Sequence, residues 1–143
     1  MDKTLRMVGR EVLKLGMAKE MCKKGFPQEG VWFWEALDTT EKEFCLEFHT
    51  LGEKRGIKKY RYCAYSFVQL LSWLPDVIGK GSNAKELWLM SQGNGWRVNY
   101  KHINEHHGLE GILGDWSPSI VDAVAMMLME LADQKIINPK ELK

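Results

Sequence analysis

Residues 120–131 are apolar around most of a helical circumference, with only Asp122, Glu130 and Asp133 marking a wet side. A helix of that kind must be buried on most sides, so the rest of the chain has to be built around it. Ser117-Pro118 supplies its start, a capping side chain followed by proline at the first helical position. A hairpin precedes it. Residues 87–90 are apolar throughout, Asn94-Gly95 is the preferred type I′ turn, and Trp96, Val98 and Tyr100 then alternate with Arg97, Asn99 and Lys101.

A second pair of strands is expected upstream. Residues 31–37 are aromatic and short. Residues 43–49 alternate, with Phe44, Leu46 and Phe48 on one face and Glu43, Cys45, Glu47 and His49 on the other. The two join through Asp38, Thr39 and Thr40. Leu15, Met17, Ala18, Met21 and Cys22 recur at helical spacing before Gly25, which predicts a short helix over 15–24. Another follows the Ser66 cap over 67–74 and stops at Pro75. The polar segment 53–61 reads as a loop that could equally frame the end of the second strand.

These elements run α-β-β-α-β-β-α, an α+β fold with an antiparallel sheet of about four strands, two hairpins, and helices packed on one face. Residues 1–14 are expected to form an N-terminal segment, in part poorly ordered, with a single domain over 15–137 and a tail at 138–143. A chain of 143 residues, 45% apolar and carrying six tryptophans, is long enough to bury its own core. Its formal net charge of +1 gives no global drive toward nucleic acid or acidic membranes.

Cys22, Cys45 and Cys63 are odd in number and widely spaced, which argues against a disulfide framework or a zinc ribbon and for reduced thiols in a cytoplasm. Neither an apolar run behind the N-terminal charges nor any stretch of roughly 18 apolar residues points to export or a membrane span.

Several clusters invite a chemical interpretation. His102-Ile-Asn-Glu-His106-His107 matches the H-x-x-E-H pattern of inverted zinc peptidases, which requires a helix to place both imidazoles on one metal. Here the segment continues a strand, so His102, His106 and His107 are weak metal candidates beside a solvated histidine loop. Gly79-Lys-Gly-Ser-Asn-Ala84 has the shape of a dinucleotide-binding turn in the wrong context, between a preceding helix and a following strand. Lys54, Arg55, Lys58, Lys59 and Tyr60 could hold phosphates and stack bases, although a solvated loop explains them as well. Cys63, just before the Ser66 cap, could be an activated thiol or a small buried one.

Trp32, Trp34, Trp73, Trp88, Trp96 and Trp116 cannot all point into one core. In the Trp32-Phe33-Trp34 run, either Phe33 is buried and both tryptophans face a pocket or partner, or the reverse. Trp32, Trp34 and Trp116 are therefore the candidate interaction surface.

Taken together, Lys24-Gly-Phe-Pro-Gln-Glu-Gly-Val-Trp-Phe-Trp-Glu35, Tyr65-Ser-Phe-Val-Gln-Leu-Leu-Ser-Trp-Leu-Pro75, the Gly95-Trp96 hairpin and Ser117-Pro-Ser-Ile-Val-Asp-Ala-Val-Ala125 resemble a family of small uncharacterised proteins from bacteriophages and other mobile elements of gut bacteria. The resemblance spans residues 15–137 and implies a bacterial or phage cytoplasmic protein with an accessory role. It brings no catalytic residue with it. The expectation is a non-enzymatic interaction module that needs no cofactor and binds its own copy or a host or phage protein. Small-ligand, nucleotide or nucleic-acid binding is the alternative, and a metal-dependent hydrolase through His102 and His106 the third.

Overall fold

The structure, a computed structural model, describes residues 12–36, 44–48, 60–103 and 111–143. It is α+β, and it forms two compact units, Met1–Phe67 with Pro139–Lys143, and Val68–Asn138.

In the first unit, helix α1 (Leu15–Lys23) buries Ala18 and Met21. It ends where the spacing predicts. Gly25 takes a φ of +90°, the Phe26 N–H reaches the Met21 carbonyl and the Gly25 N–H reaches Cys22, so the helix closes on a left-handed glycine cap. The chain then enters β1 (Trp32–Ala36), which is flanked on both sides, by β2 (Cys45–Phe48) and β3 (Tyr60–Cys63), all antiparallel. The turn expected at residues 38–40 lies outside the described residues. Val12 and Leu13, inside the segment set apart as N-terminal, are buried, and the Leu13 N–H bonds the Tyr65 carbonyl at 3.0 Å.

The second unit takes in α2 (Phe67–Trp73) from its second residue, and the chain runs through Pro75 into β4 (Val77–Ile78). A single 3-10 turn, Gly81–Asn83, follows, then the long hairpin β5 (Lys85–Gln92) and β6 (Gly95–His102), then β7 (Ile112–Leu113) and α3 (Ile120–Asp133). The sheet order is β4-β5-β6-β7, antiparallel throughout. One face of β6 carries the fully buried Val98 and Tyr100. Helix α3, which packs on β6, buries Val121, Val124, Met127, Leu128 and Leu131.

Four details differ from the sequence expectation. The strands fall into two sheets of three and four rather than one sheet of about four, because each hairpin recruits short extra strands instead of its counterpart. Tyr60 and Arg61, read as the end of a basic loop, begin β3 and pair with Ala36 and Glu35. The hairpin turn is Gly93-Asn94, with Gln92 opposite Gly95. Gly93 takes a φ of +60° at the first turn position, as a type II′ turn requires. Gly95 serves another purpose: a Cβ there would strike the Ser117 carbonyl and the Trp116 ring.

The fourth concerns the start and wet side of α3. Its cap is Ser119, whose hydroxyl accepts from the Asp122 N–H at 3.3 Å, while Ser117 is held back in an antiparallel bridge with Trp96. Asp122, expected on the wet side, is buried at the first turn, where its charge suits the helix N-terminus.

Candidate interaction surface

Residues directly opposite in an antiparallel pair point to the same face, so the register of the second sheet sorts its side chains. Val77 opposes Glu86, Glu86 opposes Lys101, Trp88 opposes Asn99, Met90 opposes Arg97, and Asn99 opposes Leu113. All of these lie on the face away from Val98 and Tyr100. Gly95 belongs to the same face, and because the space beside its Cα is taken by the Trp116 ring, Trp116 lies there too.

The outcome is an apolar set drawn from β4, β5, β7 and the segment after β7, flanking the polar outer residues of β6. Val77 is 50% exposed, Trp88 41%, Leu113 63% and Trp116 44%, with Met90 half-buried among them. Isolated exposed apolar residues are ordinary on protein surfaces. A set sharing one sheet face is not.

Both tryptophans are held in place by their polar atoms. The Trp88 indole N–H donates to Glu86 Oε1 at 3.1 Å, and Lys101 Nζ stands 5.0 Å from the ring centroid. The Trp116 indole N–H donates to the Gln92 carbonyl at 2.9 Å. Between the two rings the floor is polar but pinned. Asn99 is buried, accepting from the Gly114 N–H at 3.0 Å and donating to Met90 Sδ at 3.2 Å. Arg97 Nε is also buried and has no acceptor among the described residues. Taking a guanidinium N–H out of water without an acceptor is costly. The surface therefore offers two anchored indoles, flexible Met90, and an arginine short of one partner.

Of the three tryptophans singled out in the sequence, Trp116 is thus on this surface. Trp32 and Trp34 lie in the other unit. Phe33 between them is buried and both indoles are half-buried. Trp34 donates its N–H to the Leu13 carbonyl at 2.8 Å, and Trp32 tilts against Phe48 with ring centroids 5.0 Å apart. Trp88 did not stand out in the sequence, because Leu87-Trp88-Leu89-Met90 is apolar on both faces and hides its alternation.

The remaining candidates are not gathered into one site by the described residues. Lys54, Arg55, Lys58 and Lys59 lie outside them, and Tyr60 is half-buried in β3. His106 and His107 also lie outside. His102 is a buried strand residue, so it does not start the helix that the zinc pattern needs. No group of three or more His, Cys, Asp or Glu among the described residues could hold a metal ion.

The glycine-rich turn at residues 79–84 sits between two strands and precedes no α-helix, so it lacks the N-terminus that receives a pyrophosphate. Cys63 is fully buried. Its thiol donates to the Glu29 carbonyl at 3.4 Å, and burial pushes its pKa up to about 12 against the pull of Arg61. A thiol in that state is not a nucleophile near neutrality.

No helix among the described residues is long and apolar enough to cross a membrane. The chain matches no known protein family, no curated protein and no solved structure.

Proposed function

We propose that this chain is a non-catalytic interaction module that binds a protein partner through the outer face of the β4-β5-β6-β7 sheet. The observation that carries the proposal is the shared orientation of Val77, Trp88, Leu113 and Trp116, left exposed on one face with the half-buried Met90 among them. Tryptophan, methionine and arginine are the residues enriched at protein interfaces, and here all three types occur together. The complementary partner presents apolar side chains to the two indoles and a carboxylate to Arg97. The resemblance to small phage and mobile-element proteins fits an accessory role of this kind in a bacterial cytoplasm.

Base stacking is the less favoured use of the same aromatics. One side of the Trp88 ring is attended by Lys101, and its N–H is tied to Glu86, whose charge opposes a phosphate backbone.

Affinity capture from the native cells, with the wild type and two variants run in parallel, tests the proposal. A partner held by the wild type should be lost from Trp88→Ser/Leu113→Ser, each central contact being worth about 2 kcal/mol, or roughly 30-fold in affinity. It should be retained by Trp32→Ala. A partner that survives the first variant and is lost from the second sinks the proposal.

A further inference from the structure

We infer that the chain forms a twofold homodimer in which the free edge of β5 pairs antiparallel with the β5 edge of a second copy. This edge borders the face assigned above to a foreign partner and shares Trp88 and Met90 with it, but it pairs through main-chain groups, and its test needs the purified chain alone.

The inference starts from an incomplete ladder. Strand β5 pairs with β6 along all of Lys85–Gln92, but on its other side β4 covers only Lys85 and Glu86, with the Leu87 N–H bonding the Asp76 carbonyl at 3.0 Å. Leu74, the next residue in line to bond Leu89, gives its N–H to the Leu71 carbonyl at the end of α2 instead, at 3.1 Å. Residues 88–92 therefore have no strand beside them among the described residues. Alternation along the strand turns the main-chain groups of Leu89 and Ser91 toward that empty side, in line with Leu87. Trp88, Leu89, Ser91 and Gln92 are all exposed.

Soluble proteins protect such edges with lysine, proline, a bulge or a covering segment. This one has none of the first three. Residues 87–92, Leu-Trp-Leu-Met-Ser-Gln, contain no charge, proline or glycine, and the β5-β6 register runs from Lys85↔His102 to Gln92↔Gly95 without a break. The opposite edge is different: Trp96, at the start of β6, is bridged to Ser117, and β7 follows alongside Asn99 and Tyr100.

A second copy is the occupant this edge fits, because the free stretch is self-complementary about its middle residue. A twofold axis at Met90 brings Leu89 opposite Ser91 of the other copy, and Ser91 opposite its Leu89. Those two positions have outward main-chain groups on both copies, so both form hydrogen-bonded pairs. Trp88 then lies across from the partner's Gln92, no like charges meet, and the sheet runs unbroken across six strands, from β7 of one copy to β7 of the other, with each β4 beside the start of its own β5.

Sedimentation velocity on the purified full chain, together with a cysteine placed on the axis, tests the inference. The wild type should sediment at twice its 16.5 kDa mass. In a Cys45→Ser background, which removes the exposed native thiol, Met90→Cys should form a disulfide dimer under oxidised glutathione. The non-hydrogen-bonded pair at the axis brings the Cα atoms to about 4.5 Å, within disulfide reach. Leu113→Cys, on the far edge strand, should not cross-link.

Ser91→Pro removes an outward N–H and, besides the ring's own restraint on φ, leaves the β5-β6 hydrogen bonds in place. It should fold, as judged by circular dichroism, and weaken the dimer by about tenfold or more. Leu89→Lys provides a second, independent block with the same expected result. A wild type that stays at 16.5 kDa up to a few hundred micromolar overturns the inference, as does a dimer that cross-links at residue 113 and not at 90. So does a monomer that captures a foreign protein which Ser91→Pro releases, since that result assigns the edge to another chain's strand.

Discussion

At the scale of single residues, four positions carry a cost or a dependence that can be measured. Lys135 has a φ of +60° just past α3, where its N–H bonds the Ala132 carbonyl and the Ile136 N–H bonds Leu131. The geometry is the left-handed cap that glycine supplies after α1, here adopted by a residue with a Cβ. Lys135→Gly should therefore raise stability by about 1 kcal/mol, seen as a shift of the urea midpoint at constant slope. An unchanged or lower midpoint would mean that the Lys135 side chain contributes more than its backbone costs.

Three buried acids also set a pH dependence. Cys63 is pushed up from 9.0 to about 12 by burial, and Tyr65 and Tyr100 are raised from 10.0, first by burial and then by Cys63 and Cys22 or by Asp76. In each case the unfolded chain releases its proton first as pH rises. The stability they contribute is full below pH 9 and is lost progressively toward pH 12. The urea midpoint should hold between pH 7 and 8.5 and fall by pH 10.5, while a thiol reagent leaves Cys63 unlabelled in the native protein. A midpoint flat to pH 10.5 would contradict the burial of these groups.

At the scale of elements, the sequence was most informative where a helix or strand declares one clear face. Helix α1, β1, β2 and α2, the β5-β6 hairpin and α3 were all legible from spacing, caps and alternation. What stayed hidden has physical reasons. β4 and β7 are two residues each, too short to alternate. Tyr60-Arg-Tyr-Cys63 alternates, but its basic neighbours resemble a loop. The turn was misplaced by one residue because two glycines flank Asn94, and only the structure separates the one that bends from the one that makes room. That division of labour predicts the effect of Gly95→Ala. A methyl group there enters the space of the Trp116 ring and the Ser117 carbonyl, so it should dislodge Trp116, cost roughly 2 kcal/mol, and red-shift the tryptophan emission. Gly93→Ala should instead strain the turn and leave the emission unchanged. Equal spectral shifts in the two variants would overturn the assignment.

At the scale of the whole molecule, the candidate surface could be read only in part from the sequence. The surplus of tryptophan was visible, and so was Trp116 as a member of the set. The companions of Trp116 were not, because which residues share its face depends on the pairing of four strands. Trp34, in the other unit, is half-buried, and its indole N–H is held by the Leu13 carbonyl. The central claim is that the outer face of the second sheet is where a partner binds.

Hydroxyl-radical footprinting tests that claim most directly, comparing the purified chain with the chain recovered in complex from its native cells. Oxidation of Met90, Trp88 and Trp116 should fall in the complex while that of Trp32 stays constant. Equal oxidation of those three residues in both samples, or protection confined to the first unit, would contradict it.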